Sequence, residues 1–231
     1  TMQKVATYGG KEMERETAKR AKEHKRDMEY ALFGLGRDTD TKVSIFKAPT
    51  PRTDTTAGEM AGLFYYISKG EAAFASGRRG NVLAFDSKKD WTGTPSVLTE
   101  ESLSQILQSI WDTGATPRDV FIGAKLKKAI NAFATRQFGN EKSINSSVVS
   151  LDTDFGKVNF RLHRYLSEQN HLDDVLIAGD FSFMKNGLLI PTMIENVTTS
   201  KTAKQKRYYT EATLEVRNAD AFAIGVGLKV K

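Results

Sequence analysis

From Lys11 to Phe33 the chain contains neither Pro nor Gly and consists mostly of good helix formers, so this stretch forms one long helix that Gly34 and Gly36 stop. Its apolar set is thin: Met13, Ala18, Ala21, Met28, Ala31 and Leu32. Between Lys11 and Glu29 stand seven basic and six acidic residues, and Glu16 lies one turn before Arg20, a favourable pair. A helix this long and polar, with so narrow an apolar stripe, lies across a surface rather than inside a core. No heptad is sustained, which argues against a coiled coil. A solvated amphipathic helix is the plain alternative.

The rest of the chain has to supply that surface. Residues 34 to 58 are rich in Gly, Asp and Pro and read as loop, with a short strand expected at Val43 to Phe46. Met60 to Ile67 is an apolar patch too short to classify by period, and a strand is expected at Val82 to Phe85. Thr99 caps a helix whose first turn holds Glu100 and Glu101, and Leu103, Ile106, Leu107, Ile110 and Trp111 follow helical spacing. Val120 to Ile122 is a short buried strand, and Ala124 to Phe138 a second helix closed by Gly139. Strands follow by alternation: Val158, Phe160 and Leu162 on one face, Val175 to Ala178 as a buried run, and Tyr208, Thr210, Ala212, Leu214 and Val216 on one side of a long strand. In the last segment Phe222, Ile224, Val226, Leu228 and Val230 share one face. Ala221, Ala223, Gly225 and Gly227 share the other, which lets a backbone or helix approach closely. Helices and strands interleave without a regular βαβ rhythm, so the expected class is α+β.

The bulk properties exclude several functions. Among 231 residues 39% are apolar and 10% aromatic, enough for a real core. There is no cysteine, which removes disulfides, thiolate metal sites and a cysteine nucleophile. No apolar run approaches the roughly 20 residues that span a bilayer, so no membrane partner is expected. No signal peptide opens the chain. It begins Thr1-Met2, and some N-terminal sequence is expected to be removed or to lie outside it. The net charge of +6 is moderate: it fits a surface lying beside nucleic acid without reading it, and equally a protein that is simply basic.

The search for chemistry finds little. His24, His163 and His171 stand in no metal spacing and read as surface histidines. There is no nucleophile elbow and no phosphate-binding loop. Asp152-Thr-Asp154 lacks the later ligands of a calcium loop and reads as a turn. The best enzyme signal is Asp86-Ser-Lys88 directly after a strand, the acid-x-Lys arrangement of metal-dependent nucleases, with Asp54 as the convenient second acid. Chance acid-x-Lys triplets are common. No catalytic residue, cofactor or metal ligand is therefore expected.

Three stretches carry a resemblance. Ala18-Lys-Arg-Ala-Lys-Glu-His-Lys-Arg-Asp-Met-Glu-Tyr-Ala31, followed by a loop and Ala61-Gly62-Leu63, resembles the long spine helix of the major capsid proteins of tailed bacteriophages, a family sharing its fold with encapsulins and herpesvirus shell proteins. SLSQILQSIWDTGATPRDVFIGAKLKKAINAF resembles the helix, short strand and helix that begin that family's axial domain. RYYTEATLEVRNADAFAIGVGL resembles its closing strand pair. No single motif is diagnostic. Their order matches, and together they span nearly the whole chain.

The resemblance implies a phage major-capsid fold. Its peripheral domain, carrying the spine helix and a long sheet, would cover residues 1–97, the axial domain 98–206, and residues 207–231 would be closing strands returning to the peripheral domain. It implies a non-enzymatic, self-assembling structural subunit of an icosahedral phage or prophage shell enclosing double-stranded DNA. The subunit would be made in the bacterial host cytoplasm and found in the virion. Partners would be copies of itself in pentamers and hexamers, packaged DNA through non-specific contact, and scaffolding and portal proteins. The basic residues expected to face DNA are Lys19, Lys22, Lys25 and Arg26 on the helix, with Lys201, Lys204, Lys206 and Arg207, a group that no acid between Asn196 and Thr210 offsets. The family's N-terminal arm and extended loop precede its spine helix and find no counterpart here. These 231 residues are therefore expected to remain a monomer or small oligomer, whereas full-length protein closes into rings or particles. A metal-dependent nuclease and a basic nucleic-acid-binding module are the alternatives. The first needs Asp54 and Asp86 within metal-bridging reach, the second one coherent basic face.

Overall fold

A computed structural model describes residues 6–7, 10–35, 41–137, 149–197 and 205–231. Short strands β1 (Ala6–Thr7) and β2 (Gly10–Lys11) pair just before α1 (Glu12–Phe33). Acids Glu12 and Glu14 occupy the positive first turn of α1. The helix ends at Gly34, whose φ of +88° suits glycine and lets the Gly34 and Leu35 N–H groups both donate to the Tyr30 carbonyl at 3.1 Å. The second expected stop, Gly36, lies outside the described residues.

After α2 (Thr41–Ser44) and α3 (Leu63–Ile67) come β3 (Arg78–Arg79), β4 (Val82–Ala84) and β5 (Ser96–Val97). Helix α4 (Glu100–Trp111) is capped by Thr99, whose side chain accepts from the Ser102 N–H while the Ser102 hydroxyl accepts from the Thr99 N–H. Then follow β6 (Asp119–Ile122), α5 (Ala124–Gln137), β7 (Ser150–Thr153), β8 (Gly156–Leu162), β9 (Leu176–Gly179), β10 (Met184–Val197), β11 (Gln205–Val216), β12 (Phe222–Val226) and β13 (Leu228–Lys229). Gly139, the expected stop of α5, lies outside the described residues.

Seven strands form one mixed sheet in the order β3-β4-β12-β9-β6-β8-β7. Alternation along its strands sends side chains to two cores. On one face Val82, Ala84, Ile177, Phe222, Ile224 and Val226 pack with Ile45, Phe46, Phe64, Ile67 and Trp91. On the other, Val120, Ile122, Val158, Phe160, Leu176 and Ala178 pack under α4 and α5 through Leu103, Ile106, Ile110, Leu126 and Ile130. The small-residue face of β12 admits a helix as expected: a Cβ on Gly225 would stand 2.4 Å from the Ile106 side chain. The architecture is α+β. The sheet draws β3 and β4, the β6–β9 group and β12 from all three segments 1–97, 98–206 and 207–231. Strands β10 and β11 form a separate antiparallel ribbon, with α1 lying along β11.

Several local expectations change. Val43 to Phe46 is not a strand: Thr41–Ser44 form a helical turn that delivers Ile45 and Phe46 into the first core. Leu162 is exposed although Val158 and Phe160 are buried, because β8 lies one strand nearer the sheet edge than β6, beyond the helices' cover at its end. Leu228 does not share the face of Phe222, Ile224 and Val226. Gly227 at φ +72° turns the backbone over, and Leu228 enters the second core instead.

Candidate functional site

Helix α1 bridges the ribbon and the large sheet. Toward the ribbon, the Tyr208 hydroxyl donates to the Thr17 carbonyl at 2.8 Å, and His24 Nε2 lies 2.8 Å from Thr210 Oγ1. Toward the sheet, the Tyr165 hydroxyl donates to the Arg26 carbonyl at 3.3 Å, His163 Nε2 lies 2.9 Å from Glu29 Oε1, and Tyr30 bonds Asn170. His24 and His163 are thus partly buried tethers rather than surface histidines, because the helix lies over both. His171 is exposed, in a left-handed turn. The alternation that put Tyr208 and Thr210 on one face was the legible signal for the first tether. Nothing local marked the second, whose partners are 134 residues apart.

The face of α1 opposite Thr17 and His24, turned away from the ribbon, is basic, and Glu29 and Tyr30 flank its C-terminal end. At about 100° per residue, Arg15, Lys19, Lys22 and Arg26 fall within an arc of about 60°, over about 16 Å of helix. Lys25 lies roughly 80° to one side. From residue 15 to 26 no acid enters that arc. Glu14, Glu16, Glu23 and Asp27 flank it. Lys19, Lys22, Lys25 and Arg26 are exposed. The described ion pairs of the helix surface run from Arg15 to Glu12 and from Arg20 to Glu23, leaving those four side chains out.

The second expected basic group is partly outside view: Lys201 and Lys204 lie outside the described residues. Lys206 is exposed. Arg207 pairs with Glu195 at 2.7 Å across the ribbon, so the acid that offsets it stands one residue before the acid-free stretch.

The acid-x-Lys triplet is structural. Asp86 is 3% exposed and accepts from the N–H groups of Trp91 at 2.9 Å, Gly93 at 2.8 Å and Lys88 at 3.3 Å. Gly93 and Gly227 press so close that a Cβ on either would meet Asp86 within 2.9 Å. Asp54, by contrast, is exposed on the 50s loop. Asp152 lies in β7 opposite Lys157, and Asp154 in the β7–β8 turn. Among the described residues no cluster of three or more His, Asp or Glu side chains is placed to hold a metal ion.

Two buried groups carry perturbed protonation. Burial pushes the Asp174 carboxyl above its usual value of 3.8, against the opposing Trp91 indole N–H at 2.8 Å and Lys42 at 3.4 Å. Burial lowers the Lys127 amine, which lies 4.9 Å over the Phe160 ring. A groove of about 350 Å³ runs between α1 and β11, lined in part by Met28, Leu35, Met60 and Ala212. Its acid, Glu59, lies 3.8 Å from Lys47.

Comparison with known proteins places this geometry. A family model described as "SU10 major capsid protein" matches residues 1–229. No curated protein sequence matches the chain. Among solved structures, the holo-SrpI encapsulin complex from Synechococcus elongatus PCC 7942 is similar with a TM-score of 0.55 and 11% identity, covering 100% of this chain and 70% of that one. The procapsid of satellite phage P4, which includes the size determination (Sid) protein, is similar with a TM-score of 0.51 and 12% identity, covering 95% of this chain and 64% of that one. At these identities the likeness is one of fold. The chain spans about two thirds of the length of these two structural relatives.

Proposed function

The chain belongs to the SU10 major capsid protein family, and from that premise we propose how this structural subunit of a phage capsid works. Copies close into an icosahedral shell of pentamers and hexamers around double-stranded DNA. The shell is the virion's container, built in the host cytoplasm with scaffolding and portal proteins as transient or vertex partners. The role is architectural, with no chemistry assigned to the chain. We keep a peripheral and an axial part but divide them by element rather than at the expected bounds 1–97, 98–206 and 207–231, with α1 and the β10–β11 ribbon on the peripheral side and the seven-stranded sheet with α4 and α5 on the axial side.

The observation that carries this reading is the family match along residues 1–229. The stripe of Lys19, Lys22 and Arg26, with Arg15 partly engaged by Glu12, supports a shell interior in contact with DNA: exposed cations along one helix face neutralise phosphates without reading bases. Such contact has a dissociation constant of roughly 10⁻⁴ to 10⁻⁶ M and falls steeply with salt. Lys206 adds to it, as do Lys201 and Lys204. Arg207 contributes less because Glu195 already engages it. The nuclease alternative loses its support, since both Asp86 oxygens are committed to backbone N–H groups. Electron microscopy of full-length protein, expressed alone and with its scaffold, tests the reading. Particles of uniform diameter are expected, and the failure to find closed particles at any concentration would overturn it.

A further inference from the structure

The ribbon leaves one edge free. Among the described residues β10 pairs only with β11, and its outer edge carries Leu188 at 54% exposure, Leu189 at 80%, Met193 at 47% and Ile194 at 48%. Fourteen residues of strand extend about 45 Å. The β11 side of the ribbon packs against α1, whereas the β10 edge and its exposed apolar side chains have no described partner. The apolar side chains lie on both sides of the ribbon. Leu188 and Ile194 oppose Ala212 and Tyr208 on the α1 side, Met193 opposes Tyr209 on the other, and Leu189 sits at a register shift. A partner laid on one face would cover only half of them, whereas a partner laid along the edge covers all.

We infer that the partner is the same edge of a second copy, packed antiparallel about a two-fold axis through Ile190 and normal to the ribbon. The assignment deepens the shell-subunit reading and rests on it for the choice of partner. Its own support is complementarity. Antiparallel pairing about Ile190 sets Lys185 of each copy opposite Glu195 of the other, where it joins the Arg207–Glu195 pair already made within the ribbon, twice in one symmetric contact. Sidedness agrees at each step. Lys185 and Glu195 both stand on the side away from α1, opposite Glu215 and Arg207 in their own ribbon, so across the axis they meet on one side. Gly187 then faces Met193 on that side, and Asn186 faces Ile194 on the α1 side. Pro191 has no N–H to donate and the two register shifts flanking Ile190 weaken backbone pairing at the centre, so the contact rests on the side chains to either side of it rather than on a continuous ladder. A two-fold normal to the ribbon also keeps both α1 helices on one side of the joined sheet. Their basic stripes then point the same way, as a shell with one inner surface requires.

These 231 residues contain no cysteine, and any that lies outside them is replaced by serine for the test. Ile190→Cys places one thiol on the axis, with Gln108→Cys on α4 as control. Mild oxidation of the full-length protein is expected to give a covalent dimer from Ile190→Cys at least about tenfold above the control. In the Ile190→Cys background, Lys185→Glu alone and Glu195→Lys alone each set like charges across the axis and are expected to lower the dimer yield about tenfold or more. Mixing those two variants restores opposite charges at both contacts and is expected to recover the dimer. That recovery is a result general misfolding of either variant does not produce. Thermal melts check that each variant folds. A dimer yield no higher than the control, or no recovery on mixing, overturns the contact. Uniform particles without the crosslink would sink the contact and leave the shell reading standing, whereas crosslinked dimers that never form particles would do the reverse.

Discussion

Replacing Asp86 by Ala removes the acceptor that organises the loop from Lys88 to Gly93. Two N–H groups, Trp91 at 2.9 Å and Gly93 at 2.8 Å, donate well to it, and Lys88 donates at 3.3 Å. Asp86 is 3% exposed and Trp91 also 3%, so water does not readily substitute. An orphaned buried donor costs about 1–3 kcal/mol, which for the two good bonds sums to about 4 kcal/mol. Part returns if the loop relaxes. Trp91 is held at φ +65°, a conformation costing on the order of 1 kcal/mol that the mutant need not keep. The net expectation is a loss of about 3 kcal/mol, or a fall in melting temperature of about 6–12 °C for a chain of this size. Asp86→Asn keeps one carbonyl acceptor and should lose about half as much. Calorimetry and urea titration measure both. Trp91 emission, read in a Trp111→Phe background, reports whether the loop itself has opened. A change below about 1 kcal/mol for Asp86→Ala would refute the claim that this carboxylate holds the loop. Magnesium-dependent DNA cleavage lost in the same variant, at a temperature where both proteins are folded, would instead revive the nuclease reading.

Gly62→Ala sets a Cβ 2.3–2.4 Å from backbone atoms of Phe33 and Gly34, so α1 must shift from α3; a loss of about 1–3 kcal/mol or more is expected in urea titration, with earlier proteolysis near residue 34. Asp174 has its native pKa raised by burial, so its contribution to stability is fully present below the unfolded value of 3.8 and is lost as pH rises through the native one. Asp174→Asn removes that dependence, and its stability relative to the parent should improve from about pH 3 toward neutrality in paired denaturation curves. A pH-independent difference would contradict the burial argument. Substituting Gln at Lys19, Lys22 and Arg26 together should weaken DNA binding equally for all sequences. It should also flatten the log–log salt dependence by up to about 2–3 units in fluorescence titrations, and an unchanged slope would remove α1 from the interface.

Much of the fold was legible because it is set by near neighbours along the chain. Helix α1 follows from 22 residues without Gly or Pro and from the carbonyl capture that Gly34 permits, and α4 from Thr99 and the spacing of Leu103, Ile106 and Ile110. The β12 small-residue face was readable because close packing needs absent side chains, and Ile106 fills the space over Gly225. The basic stripe was likewise written in the spacing of Lys19, Lys22 and Arg26. Other features depend on contacts between distant segments. Asp86 looks like a metal ligand until Gly93 and Gly227 close around it, and His163 looks solvated until Glu29 reaches it from 134 residues away. Leu228 changes face because one glycine adopts a positive φ, and Arg207 is neutralised by Glu195 only once the ribbon is paired. Local propensity and periodicity decide which residues form an element. Whether a charge is buried, paired or free, and which face an element turns to its neighbours, is decided by what else arrives in space, and only the tertiary structure holds that information.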